Sequence, residues 1–176
     1  MILAGPYKTW RILSRQKDRS VFELSYDYGP EGEGISEVKR ITIEMGERFY
    51  RSESTFTKDG KPLAGLEVAI GITTHDGKAR VTLRPDNGWM SCWEVIEGYG
   101  VGTGVVVDPD RVTGMREISN KEKDTSHALV LTRTDAVGKT VHLAGYGWTK
   151  ASEITSREAW EKYLGECATA LKSHDL

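Results

Sequence analysis

Residues 21–28 read Val-Phe-Glu-Leu-Ser-Tyr-Asp-Tyr, and this stretch decides the fold class. Leucine and aromatic side chains occupy every second position, while Glu23, Ser25 and Asp27 occupy most of the positions between them. A period of two is the repeat of a β-strand whose side chains point alternately to opposite faces. The stretch therefore predicts a strand with one apolar face and one mainly polar face.

Further runs of this kind follow along the chain, separated by turns rich in glycine and aspartate. Neighbouring runs that are joined by short turns are expected to pair as antiparallel hairpins. No helical pattern alternates with them, which argues against a parallel α/β fold. We therefore predict a single, mainly β domain over residues 1–176, an antiparallel β-sandwich with curved sheets. The predicted strands are residues 8–14, 19–28, 35–45, 48–57, 67–73, 78–84, 89–97, 101–107, 127–134 and 140–148.

The C-terminal segment has a different period. Thr155 and Glu158 have the spacing of a capping box at the start of a helix. Apolar side chains then recur at steps of three and four residues, which is the pattern of an amphipathic helix. We predict one helix over about residues 156–173 that buries its apolar stripe on a sheet. The stripe consists of Trp160, Tyr163, Leu164, Cys167, Ala168 and Leu171.

Charge and hydropathy exclude two classes of partner. The chain has 176 residues and a net charge of −2, with both signs mixed along its length. A nucleic-acid binder normally carries a basic patch or stripe, so we predict no nucleic-acid partner. No segment approaches the roughly 20 apolar residues that cross a bilayer, and residues 1–6 lack the features of a signal peptide. We expect a soluble chain with no membrane partner, and we predict no particular cellular compartment.

We predict neither a disulfide nor a cofactor. Cys92 lies in an apolar strand and Cys167 on the apolar face of the helix, which favours two separate buried thiols. The histidines are scattered, and none has the spacing of a metal-ligand motif. The glycine run at residues 98–104 lies between strands with no helix to receive a phosphate, so it is not predicted to bind a nucleotide.

Three groups of segments, taken in order, carry a family resemblance. They are residues 11–13 with 20–26, residues 37–43 with Gly46, Arg51, Glu53 and Phe56, and residues 144–148 with Trp160 and 163–164. Together they resemble the C-terminal half of the domain of unknown function 4861. Members of that family lie in bacterial polysaccharide-utilisation gene clusters, beside polysaccharide lyases and unsaturated-uronyl hydrolases. The resemblance implies a role in polysaccharide degradation and, by analogy only, a galactose-mutarotase-like or lyase-like sandwich. It also implies that full-length relatives are periplasmic or secreted.

The last predicted strand supplies most of the candidate catalytic residues. Alternation places His142, Tyr146 and Trp148 on one face, with Lys150 just beyond the strand. We predict that His142, Tyr146 and His127 supply acid and base, because imidazole and phenol groups exchange protons. Trp148 and Lys150 are predicted to bind substrate. The alternative is that the aromatic rings pack beneath the helix and His142 is solvated.

Two other strands carry candidate substrate-binding residues. Trp89 and Trp93 share a face and could stack on sugar rings, although a role of either indole in the core is the alternative. Arg51 and Glu53 also share a face, and an arginine can bind a uronate carboxylate or a sulfate through two hydrogen bonds. A solvent-facing ion-pair ladder is the alternative for this pair.

Three functions follow from these residues and the resemblance. The first is elimination chemistry, lyase-type or dehydratase-type, on an acidic, uronate-containing oligosaccharide, with a cation on the carboxylate. The second is a non-catalytic carbohydrate-binding module. The third is a structural half-domain that assembles as a homodimer or with a missing N-terminal half, because half of a larger sandwich leaves edges and a face uncovered.

Overall fold

The computed structural model describes residues 2–74, 77–122, 124–151 and 153–173. The sequence predicts a single domain, and the chain divides by its internal contacts into two compact units. The first unit falls within Met1–Glu67 and Arg133–Val141, and the second within Val68–Thr132 and His142–Leu176. Both units are built from antiparallel strands, as predicted.

The first unit is a meander of strands joined by short turns. Its strands are β1 (Thr9–Arg15), β2 (Arg19–Asp27), β3 (Ile35–Glu44), β4 (Phe49–Lys58) and β5 (Lys61–Pro62), followed by the first residues of β12 (Lys139–Trp148). β1 to β4 are neighbours in chain order, and β5 and β12 lie beside β4. Gly46, in the turn after β3, has a φ of 91°, a left-handed value that glycine adopts without the strain of a side chain.

The second unit is a sandwich of two sheets. Its strands are β6 (Glu67–Thr73), β7 (Arg80–Arg84), β8 (Trp89–Ile96), β9 (Tyr99–Val106), β10 (Val112–Ile118), β11 (His127–Arg133) and the remainder of β12. β7, β8, β9 and β12 follow one another in one sheet, and β6, β11 and β10 form the other. The core between the two sheets contains Met90, Cys92, Val105, Val107, Ala128 and Val130.

Helix α1 (Arg157–Ser173) covers the opposite face of the sheet that contains β8, β9 and β12. Trp160, Leu164, Ala168 and Leu171 are its buried residues, which confirms most of the predicted stripe. The predicted cap is corrected by one residue. Ser156, not Thr155, accepts the backbone N–H of Ala159 at 3.2 Å, so the helix begins one residue later than the Thr155–Glu158 spacing indicates.

The predicted fold class is therefore confirmed as a mainly antiparallel β-sandwich with one C-terminal helix. Neither cysteine forms a disulfide. Cys92 lies in the core as expected, whereas Cys167 is only half-buried. None of the helical segments among the described residues is both long and apolar enough to cross a membrane.

Candidate functional site

The register of β8, β9 and β12 sorts their side chains between two faces. Gly104 of β9 lies opposite Gly145 of β12 and Ser91 of β8, and all three share the face beneath α1. The residues between them point to the other face, where the second sheet covers one end of the strands. Tyr146 lies opposite Thr103 on this other face.

On the helix-covered face, side chains of the helix occupy the space above the glycines. A Cβ atom at Gly102 would lie 2.5 Å from the indole of Trp160, and one at Gly147 would lie 2.8 Å from it. The indole nitrogen of Trp160 also donates to the carbonyl of Thr103 at 3.4 Å. Small residues at these positions of β9 and β12 therefore admit a large ring that belongs to the protein, not to a ligand.

At one end of the other face, three aromatic side chains and a lysine are exposed. We call Tyr99, Tyr146, Trp148 and Lys150 the aromatic ledge. The ring centroids of Tyr99 and Trp148 are 6.0 Å apart with an interplanar angle of 76°. The Nζ atom of Lys150 lies 5.1 Å from the Tyr99 centroid and 5.3 Å from the Trp148 centroid. Tyr146 remains 63% exposed and Trp148 37%.

The core covers only part of β12, which explains why the ledge is exposed. His142 is on the same face but only 8% exposed, and Ala144 packs against the core between the two sheets. Tyr146 and Trp148, further along the strand, extend past this core and reach solvent. The ledge is thus the uncovered end of an otherwise packed sheet face.

The chemistry of the ledge suits a sugar that carries a negative charge. The apolar C–H face of a pyranose can pack on an indole, because the electron-rich face of the ring attracts the slightly positive hydrogens. The rings of Tyr99 and Trp148 are nearly perpendicular, so together they form a corner and not a flat platform. Lys150 supplies three N–H donors and a positive charge beside that corner.

The predicted acid–base residues do not form one cluster. His142 is buried near the core, and Tyr146 follows it by four residues, about 13 Å along the strand. His127 begins β11, whose next residue Ala128 points into the core, so His127 points to the outer side of that sheet. Its Nδ1 atom lies 3.4 Å from the hydroxyl of Thr73. Alternation within single strands says nothing about how two sheets face each other, so it could not show this separation. The catalytic roles of His142, Tyr146 and His127 stay a prediction.

The predicted tryptophan pair lies on the face that α1 covers. Trp89 is only 7% exposed, and its indole packs near Gly165 of the helix. Trp93 is half-buried, and its ring lies over Gly100 beside Thr149. The helix thus covers Trp89, whereas Trp93 lies beside Gly100 and Thr149, and sugar stacking on this pair stays a prediction.

Arg51 and Glu53 share a face of β4 in the first unit, as predicted. The NH2 group of Arg51 is 3.7 Å from Oε1 of Glu53, and the Nζ atom of Lys139 donates to the same oxygen at 2.6 Å. Burial raises the pKa of Glu53, but the hydrogen bond and charge of Lys139 and the charges of Arg51 and Arg40 outweigh it, so the pKa is lowered. The carboxylate thus stays ionised within a network of cations.

The first unit also has an open apolar groove of about 400 Å³. Trp10 and Ile12 of β1 line it and are largely exposed, and Tyr7 lies beside them. Phe22 and Leu24 of β2 form the other wall. The groove shows that an apolar face of this unit is open, and assembly with a partner through it stays a prediction.

One ledge residue is missing from the sequence-based prediction. Tyr99 lies between the predicted strands of residues 89–97 and 101–107, whereas β9 already begins at Tyr99. The alternation of Tyr99, Val101, Thr103 and Val105 was the signal that could have identified it.

The fold and the ledge define a class: a mainly antiparallel β-sandwich protein with an exposed aromatic and cationic surface. The chain belongs to the family described as Domain of unknown function (DUF4861), whose model matches residues 2–174. It is 30% identical over 170 residues to "Uncharacterized protein P7" of Formosa agariphila, a match that covers 95% of this chain and 41% of that relative. The chain therefore spans less than half the length of this curated relative.

Proposed function

We propose that this chain binds acidic carbohydrate, with the aromatic ledge as the site that contacts one charged sugar residue. The observation that carries the proposal is the exposed corner of Tyr99 and Trp148 with the ammonium group of Lys150 within 5.3 Å of both ring centroids. The polysaccharide context implied by the family resemblance points to the same ligand class.

Each part of the ledge has a separate role in this proposal. The indole of Trp148 packs against the C–H face of a pyranose, and Tyr99 and Tyr146 limit how the sugar is oriented. Lys150 pairs with a uronate carboxylate or a sulfate, and the partial desolvation beside two rings strengthens that attraction relative to open water. Binding is thus expected to depend on the rings for affinity and on Lys150 for preference between charged and neutral sugars.

Elimination chemistry stays a prediction. It requires a base, an acid and a cation around one sugar carbon. The ledge offers a phenol and an ammonium group together, whereas His142 is buried and His127 points to the outer side of the other sheet. The geometry therefore favours binding over turnover as the function to test first.

Isothermal titration with uronate trisaccharides and neutral trisaccharides tests the proposal. Trp148→Ala should weaken binding of every trisaccharide that binds, by about tenfold, because it removes the largest exposed ring of the ledge. Lys150→Gln should remove the preference for uronates and leave affinity for neutral sugars unchanged.

Lys121→Gln is the matched control for charge, because Lys121 is an exposed lysine of the same unit outside the ledge. The proposal is rejected if no uronate trisaccharide binds, or if Trp148→Ala binds them as the unaltered chain does. Release of unsaturated product during the titration would instead support the elimination hypothesis.

A further inference from the structure

We propose that the first unit carries a second binding surface, which takes a linear anionic polysaccharide along a row of charged side chains. The charged row consists of Arg11, Glu23, Arg40, Glu53 and Lys139, with one residue from each of β1, β2, β3, β4 and β12. It rests on observations independent of the aromatic ledge, which belongs to the other unit.

The strand register places the members of the charged row directly beside one another. Arg11 is opposite Glu23, Glu23 is opposite Arg40, and Arg40 is opposite Glu53. Lys139 completes the row through its 2.6 Å hydrogen bond to Glu53. Because directly opposite residues in paired strands share a face, the charges alternate in sign across one surface of the sheet.

Hydrogen bonds within the charged row fix the orientation of its arginines. The Nε atom of Arg11 donates to Oε2 of Glu23 at 2.7 Å, and its NH2 group lies 2.6 Å from the same oxygen. Arg40 donates to Oε1 through Nε at 3.1 Å and NH2 at 2.9 Å. Since a guanidinium group has five N–H donors, three on each arginine remain unused by Glu23. The cations are therefore held in place before a ligand arrives, which lowers the entropic cost of binding.

The carboxylates are recessed and the cations face solvent. The side chain of Glu23 is 7% exposed and that of Glu53 is 20% exposed. The side chains of Arg11 and Arg40 are 70% and 49% exposed. A ligand that approaches this face thus meets the guanidinium groups and the ammonium group first, and the acidic groups lie below them.

The spacing of the cations points to a repeating ligand. Arg11, Arg40 and Lys139 lie on every second strand, and neighbouring strands are about 4.8 Å apart, so the backbone positions of the cations recur at roughly 10 Å. The guanidinium groups of Arg11 and Arg40 lie closer together than this, because both bind the carboxylate of Glu23. In a linear polyuronate, the carboxylates of every second sugar recur at a comparable interval. Single small anions would occupy only one cation and gain nothing from the repeat.

Hydroxyl groups beside the charged row favour a polysaccharide over other polyanions. Thr9, Ser25 and Thr55 lie in the adjacent row on the same face, with Val38 of β3 between Ser25 and Thr55. The hydroxyl oxygens of Thr9 and Ser25 are 2.5 Å apart. Hydroxyl groups can exchange hydrogen bonds with sugar hydroxyls.

Binding of polygalacturonate, a linear polyuronate, tests the proposal. We would measure it by titration in the Trp148→Ala chain, so that the ledge does not contribute, with dextran as the neutral polymer. Arg11→Gln/Lys139→Gln should weaken binding by about tenfold or more, because it removes two charge-assisted contacts, and should flatten the salt dependence. Both carboxylates keep a cation in this variant, Arg40 for Glu23 and Arg51 for Glu53, which protects the fold.

Lys17→Gln/Lys61→Gln is the matched control, because it removes two exposed positive charges of the same unit outside the charged row. The affinity of this control for polygalacturonate should stay within twofold of that of the Trp148→Ala chain. The proposal fails if the parent chain does not bind polygalacturonate, if the two double variants lose equal affinity, or if an oligonucleotide of equal charge binds as tightly. If the ledge proposal is wrong, the unaltered chain does not bind uronate trisaccharides. This result is distinguishable from a failure of the charged row, which is measured with polygalacturonate in the Trp148→Ala chain.

Discussion

Cys92 illustrates how a single buried side chain acquires altered chemistry. Its thiol lies in the core of the second unit. Burial, together with the negative charges of Glu94 and Glu117, raises its pKa to about 12. Since the thiolate is the reactive form, Cys92 is expected to be inert at neutral pH.

Alkylation with iodoacetamide at pH 8 measures this inertness. In the folded chain, the peptide that contains Cys92 should remain unmodified over hours, and it should react within minutes once the chain is unfolded in guanidinium chloride. Rapid modification of Cys92 without denaturant would show that the core opens or that the thiol lies at the surface.

Glu23 makes the stability of the first unit depend on pH. Burial raises its pKa, but hydrogen bonds and charge from Arg11 and Arg40 outweigh burial and place the pKa below its ordinary value of 4.5. A lowered pKa in the folded state stabilises the fold above pH 4.5, and this contribution is lost as the pH falls through the folded-state pKa.

We therefore expect Glu23→Gln to lower the Tm by a few degrees at pH 7, because two cations lose their carboxylate. The difference between the variant and the unaltered chain should shrink as the pH falls from about 5 towards 3. Thermal unfolding followed by circular dichroism at each pH measures it. A difference that grows on acidification would contradict this account of Glu23.

At the scale of elements, the contact between β9 and α1 depends on glycine. A Cβ atom at Gly102 would lie 2.5 Å from the ring of Trp160, which is fully buried and has no room to move away. Gly102→Ala should therefore destabilise the chain by about 1–3 kcal/mol, the usual cost of overpacking. Urea unfolding measures this free energy.

Gly114 provides the matched control, because it is also a strand glycine but a Cβ there would meet its nearest neighbour, Leu131, at 3.8 Å. Gly114→Ala should change the unfolding free energy by less than about 1 kcal/mol. Equal effects of the two substitutions would show that the helix does not rest on β9 as described.

Some elements were predictable from local sequence and others were not. β2 and α1 have unbroken periods of two and of 3.6, so their type and most of their extent follow from alternation alone. β10 was missed because Gly114 lies where its register shifts and because Arg116 and Glu117 interrupt the alternation. Its pairing with β11 holds it as a strand, and that pairing is a property of the tertiary structure.

At the scale of the whole molecule, the fold class was predictable and the site was only partly so. Alternation correctly grouped Tyr146 with Trp148, but it could not show which face of the sheet α1 covers. That choice separates Trp89, beneath the helix, from the exposed ledge. The glycines of β9 and β12 carried the missing signal, since small residues on one face of adjacent strands mark where a helix packs closely.

The central claim is that the ledge binds an acidic sugar, and the indole N–H signals of the five tryptophans test it most directly. On titration with trigalacturonate, the nuclear magnetic resonance signal of Trp148 should shift progressively and saturate, whereas those of the buried Trp89 and Trp160 should stay in place. An unchanged Trp148 signal at millimolar ligand, or shifts confined to Trp10 in the first unit, would contradict the account.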